Sequence, residues 1–147
     1  MQERISCRAA ALIIKGNYLH AAKSIDHPCY YIIGGGIEIG ESSEEAIVRE
    51  LFEETGLRFE VDRLAIIQER FCEVNNEKYH EIVFFYLMKE NVGMDIPVNC
   101  PTDQGIKETP HWLPLEGLAT MQIIPEFLKT MKLNTMTDIR HIISKEI

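Results

Sequence analysis

Basic residues are scarce in this chain: its 147 residues hold 15 Lys and Arg against 23 Asp and Glu, a formal net charge of -8. Such a field repels a nucleic-acid backbone and an anionic membrane surface alike, so neither is expected as a main partner. Long apolar runs are missing too, and none approaches the roughly 18 residues of a membrane span. The opening stretch MQERISCRAAALIIKGN has an apolar patch but no small-residue cleavage site after it, which argues against a secretory signal. Cys7, Cys29, Cys72 and Cys100 are scattered, without a CxxC pair. Free buried thiols in a reducing, cytoplasmic setting are expected rather than disulfides or zinc. No repeat, low-complexity tract or coiled-coil heptad is present, and the length suits one domain, 1–147, with a real core.

What the chain does have is glutamate, concentrated in Gly35 to Leu57, GGIEIGESSEEAIVRELFEETGL. Ser42 followed by Glu45 is a capping-box signature and starts a helix. Gly56 stands where a helix is closed by a residue free to adopt positive φ. At 100° per residue, Ile47, Val48, Leu51, Phe52 and Thr55 fall on one side. Glu50, Glu53 and Glu54 fall on the other, with Arg49 at the border and within reach of Glu53. Like charges so arranged repel, which a solvated surface tolerates for nothing. A divalent cation among them reverses the sign of the local field.

The neighbours of those glutamates decide between the two readings. Gly35, Glu41, Arg49, Glu50, Leu51, Glu53, Glu54, Gly56 and Leu57 fill every defined position of the Nudix box, so the stretch resembles the signature of the Nudix (MutT-like) hydrolases. The resemblance implies an α/β fold, an α/β/α sandwich with a mixed β-sheet. It also implies hydrolysis of the diphosphate linkage in a nucleoside diphosphate joined to another group. Nucleoside triphosphates, ADP-ribose and nucleotide sugars are the substrate types. Mg²⁺, or Mn²⁺ in its place, is the implied cofactor. By the same resemblance Glu53 and Glu54 are principal metal ligands, Glu50 a further ligand or water holder, and the Gly35 carbonyl a plausible ligand. Arg49 would orient Glu53, while Glu41 would brace the loop against the helix. A water made acidic by the metal and deprotonated by a glutamate would attack phosphorus. Monomer and the homodimer common in the family both stay open.

Along the rest of the chain, Arg8 to Ile14 and Tyr18 to Ala22 read as a hairpin, and Cys29 to Ile33 as a strand feeding Gly34-Gly35-Gly36. Gly34 stands where the family often has proline and is expected to loosen that turn. Phe59 to Cys72 reads as one or two strands. Tyr79 to Met88, apolar on both faces, reads as a central strand covered by helices on both sides. Asn91 to Thr109 reads as a loop, His111 to Leu113 as a brief strand, Leu115 to Met131 as helical around Pro125, and Thr137 to Ile147 as a terminal helix. Glu69 and Glu81 lie after the box, where family members often place another acid; a strand-end salt bridge is the alternative for each. Arg70 and Lys23 could contact phosphate or could be solvated surface. Trp112 could stack a base or sit in the core. The proline or tyrosine markers found in two subfamilies roughly 15 to 17 residues past the box are absent, since Cys72, Glu73 and Val74 stand there. The competing function is a non-catalytic nucleotide-sensing module of the same fold. It is disfavoured because no box carboxylate is missing, and an isomerase is disfavoured for want of a protonation pair outside the box.

Overall fold

The computed structural model describes residues 4–90, 100–101 and 107–146. Its strands are β1 (Ser6–Leu12), β2 (Ile14–Lys15), β3 (Tyr18–Ser24), β4 (Tyr30–Tyr31), β5 (Gly34–Gly36), β6 (Val61–Val74), β7 (Glu77–Met88), β8 (Cys100–Pro101), β9 (Lys107–Pro114), β10 (Ile123–Ile124) and β11 (Arg140–Glu146), with helix α1 (Ser43–Thr55) between β5 and β6. One sheet runs β11-β6-β7-β1-β5 and the other β10-β4-β3-β9-β8, with β2 attached to β3. The first sheet is mixed. β1 is parallel to β7 and antiparallel to β5, while β6 and β7 form a long antiparallel pair.

That long pair follows from its turn. Asn75 and Asn76 both adopt positive φ, 53° and 66°, which a tight two-residue hairpin turn demands and asparagine tolerates. β7 alternates as its composition requires. Val83 and Phe85 face a core shared with Ala10, Leu19, Leu118, Ile123 and Leu128, while Tyr86 and Met88 face one shared with Ala9, Ala46, Ile47 and Leu51. The expectation of a strand buried on both faces holds, although helix α1 covers only one of them. The second sheet and short 3-10 turns cover the other.

Four local expectations need correction. The run from Arg8 to Ile14 does not pair with Tyr18 to Ala22 as one hairpin. Only Ile14 and Lys15 pair back, to Leu19 and Tyr18, while β1 belongs to the other sheet. The chain changes sheets at Ile13, so Ala9 to Ile13 are all buried. The triple glycine is strand rather than loose turn, with Arg8, Ala9 and Ala10 opposite Gly36, Gly35 and Gly34. Leu115 to Met131 makes two 3-10 turns around β10 in place of a longer helix. Ile123 and Ile124 are drawn into pairing with Tyr30 and Tyr31, and Pro125 has no N–H to continue a helix. The final segment is strand β11, parallel to β6. Its cross-strand partners explain the choice, because Ser144 accepts from Gln68, Glu146 from Arg70, and His141 pairs with Glu69. Of the expected loop from Asn91 to Thr109, residues 100–101 and 107–109 are strand and the remainder lies outside the described residues.

Candidate active site

Helix α1 begins as its sequence dictates. The Ser42 side chain accepts from Glu45 N–H and Glu45 accepts from Ser42 N–H, both at 3.1 Å. Gly56 closes the helix at φ 75°, donating to the Phe52 carbonyl. Ser43 Oγ lies 2.6 Å from the Tyr86 hydroxyl, pinning the first turn to β7. The buried arc is not quite the expected one. Ala46, Ile47, Leu51 and Thr55 are inside, while Phe52 stays 44 % exposed beneath the Arg58 guanidinium. Glu50 and Glu54 occupy the angular interval between Ala46 and Leu51, so both are half-buried, and Glu53 alone is exposed.

Arg49 is the hub of the site. Its Nε and Nη2 donate to the two Glu41 oxygens at 2.7 and 2.9 Å, a bidentate pair. Nη1 donates to Glu50 at 3.0 Å and to Glu53 at 3.3 Å, and Nη2 reaches the Gly36 carbonyl at 3.0 Å. One guanidinium thus ties the loop, the glycine strand and two helix carboxylates together. Glu41 also accepts from the Glu38 N–H, and the Arg49 bond holds its carboxyl down at about 2. Burial pushes the Glu50 carboxyl above its ordinary value, with the Arg49 hydrogen bond opposing. Gly35 makes this possible, since a Cβ there would occupy the space of the Glu50 carboxylate. Across from Glu54, burial and a hydrogen bond to Glu108 push the Tyr31 hydroxyl far up, and the Glu54 charge adds to the effect.

The residues outside the box divide. Arg70 and Glu81 pair at 2.8 Å on neighbouring strands, and both line a cavity of about 270 Å³ with Arg8, Tyr31 and Gln68. Glu69 lies on the opposite face of the sheet, 2.6 Å from His141. Lys23 sits over the Tyr30 ring, 5.7 Å from its centroid. Trp112 is half-buried against the core, its ring nearly perpendicular to that of His20. Sequence reasoning missed Arg8, Gln68 and Glu108. Arg8 and Glu108 come to the site only through pairing, Arg8 opposite Gly36 and Glu108 opposite Ser24, and no spacing in the chain announces either.

A mixed-sheet α/β fold, with an arginine binding glutamates from a loop and a helix beside a glycine strand, defines the class: an α/β protein built around the box the sequence carries. The chain belongs to the Nudix family, whose NUDIX domain matches residues 7–131. Among curated relatives, an RNA pyrophosphohydrolase of Blochmanniella pennsylvanica (strain BPEN) is 48% identical over 46 residues, 31% of this chain and 29% of that protein. The match therefore spans less than a third of that relative's length. Among solved structures, a MutT protein from Bacillus halodurans superposes with a TM-score of 0.74 at 15% identity, covering 92% of this chain and 89% of that one. A MutT NUDIX hydrolase from Burkholderia pseudomallei gives 0.63 at 23% identity over 77% and 85%. Likenesses at these identities speak for the fold. Among the described residues, no helix is long and apolar enough to cross a membrane, and Cys7, Cys29 and Cys72 are free, with Cys72 alone buried.

Proposed function

We propose that the protein is a divalent-metal-dependent hydrolase that cuts the diphosphate linkage of a nucleoside diphosphate joined to another group. A nucleoside triphosphate, ADP-ribose or a nucleotide sugar is the substrate type. The observation that carries this reading is the grip of Arg49 on Glu41, Glu50 and Glu53 against the glycine strand. A family fold alone would not need three carboxylates gathered on one guanidinium.

The residues fit a hard cation. Glu50, Glu53, Glu54 and the Gly35 carbonyl offer oxygen only, which suits Mg²⁺ or Mn²⁺, and the bare Gly35 backbone leaves room for the Glu50 carboxylate against the strand. As the side chains lie, no three His, Cys, Asp or Glu among the described residues are grouped to hold a metal ion. Arg49 Nη1 bonds both Glu50 and Glu53, so an ion held there would compete with that bond. A bound ion supplies charge neutralisation at the phosphate oxygens and a more acidic water. The chain's own part is to orient the carboxylates through Arg49, brace them through Glu41 and accept a proton. That last role belongs to the coupled carboxylates together. Glu108, hydrogen-bonded to the Tyr31 hydroxyl on which the Glu54 charge also acts, is a further candidate acid beside Glu81 and Glu69.

The relative named an RNA pyrophosphohydrolase puts 5′-triphosphate RNA on the substrate panel, although a charge of -8 favours a nucleotide-sized ligand over a polymer. The test is a nucleotide- and phosphate-release screen with Mg²⁺ or Mn²⁺ over triphosphates, ADP-ribose, nucleotide sugars and that RNA. Glu53→Gln and Glu54→Gln are expected to lose on the order of 10²-fold or more in turnover with an unchanged circular dichroism spectrum. Activity retained in both would overturn the reading. Ligand binding without turnover by the unaltered protein would replace it with the nucleotide-sensing module.

A further inference from the structure

A chain of net charge -8 repels a polyphosphate before any contact forms, so the anionic part of a nucleotide needs a local cation. The cations around the site are mostly spent. Arg49 is saturated by Glu41, Glu50 and Glu53. Arg70 is clamped between Glu81 and Glu146, each at 2.8 Å. Lys23 and Arg58 lie over the Tyr30 and Phe52 rings.

Arg8 differs from all of these. Among the described residues its one carboxylate within ion-pair range is Glu81, at 3.8 Å, and Glu81 already takes the shorter bond from Arg70. Its side chain is 46% exposed, against 27% for Arg70, and it lines the cavity that Tyr31, Gln68 and Phe85 also line. Across the ladder from Arg8 is Gly36, next to the Gly35 that faces the Glu50 carboxylate. Arg8 therefore stands where the cavity meets the box, its guanidinium in a long contact with Glu81 and within the electrostatic reach of Glu50. A bidentate bond to phosphate is worth more to it than a long contact with a shared carboxylate.

We propose that Arg8 holds the phosphate that stays attached to the nucleoside, with the nucleoside in the cavity behind it and the scissile linkage directed to the box carboxylates. Glu81 is then a positioning residue: held by Arg70, which Glu146 anchors in turn, it keeps the Arg8 guanidinium over the cavity and yields it when phosphate arrives. The proposal rests on the hydrolase reading only for the ligand class, a nucleotide.

The test needs neither metal nor turnover. In EDTA, calorimetric titration compares the four nucleoside 5′-monophosphates with their nucleosides. The unaltered protein is expected to bind at least one monophosphate about tenfold or more tighter than its nucleoside, the usual gain from a charge-assisted bond. Arg8→Ala is expected to lose that preference while keeping its affinity for the nucleoside, and Arg8→Lys to keep part of it as a point charge. Half-exposed Arg8 carries little of the fold, and melting temperatures of all three proteins check this. An undiminished preference in Arg8→Ala overturns the proposal, as does an unaltered protein with no preference for any monophosphate. A preference that stands in EDTA, in a protein that cleaves nothing with Mg²⁺, would sink the hydrolase reading and leave this one intact.

Discussion

Gly35 shows how much a single residue carries. It pairs with Ala9 in the sheet, and the space its missing Cβ leaves is filled by the Glu50 carboxylate. Gly35→Ala would push that carboxylate off the strand and out of the Arg49 arrangement. Turnover is expected to fall by about 10²-fold, as when a positioned group is lost, and the melting temperature by only a few degrees, for a cost of about 1 kcal/mol. Normal turnover in this variant would mean that the close approach of Glu50 does not matter to the reaction. The identities that make up the box could be read from the chain, because each is a residue type at a set offset along one loop and one helix. The link from Arg49 to Glu41 across the loop, and the acid pair of Tyr31 and Glu108, could not. They depend on where strands far apart in sequence are laid.

Among the elements, α1 is the one whose ends the chain states outright. Its capping box and left-handed Gly56 are present as written. Ser42→Ala removes the bond to Glu45 N–H and is expected to cost about 1 kcal/mol, seen as a lower urea midpoint. An unchanged midpoint would mean that packing of Ile47 and Leu51 holds the helix start without its cap. The two segments expected as helix after residue 114 show the opposite case. Their apolar residues, Leu118, Ile123, Leu128 and Ile142, do point inward, so burial was legible. Secondary structure was not, because the unpaired backbone of β4 and β6 offered hydrogen bonds that outweighed weak local helical preference.

For the molecule as a whole, acid stability hangs on a residue outside the site. His20 is 2 % exposed, with neither ring nitrogen hydrogen-bonded, and burial, helped by the charge of His111, lowers its pKa from 6.5 to about 4. The unfolded chain therefore binds a proton that the folded chain refuses. Stability is whole above the unfolded value of 6.5 and drains as pH falls toward 4, by about 3 kcal/mol. Urea unfolding at pH 7 and pH 5 should show the loss in the unaltered protein and a smaller one in His20→Phe. An equal loss in both would assign acid sensitivity to other groups.

The chain's linear order decided what short-range chemistry can decide: the helix ends, the Asn75-Asn76 turn, the alternation of β7, and the spacing that puts Arg49 beside Glu50 and Glu53. Those depend on neighbours within a turn or two, where rise and periodicity leave few choices. Only the tertiary structure could decide that the triple glycine is an edge strand, that the last residues pair with β6, that Arg8 lies opposite Gly36 and that Glu108 meets Tyr31. Each of these depends on which distant backbone presents an unpaired edge, and hydrogen-bonding demand of that kind is a property of the folded sheet rather than of any segment in it.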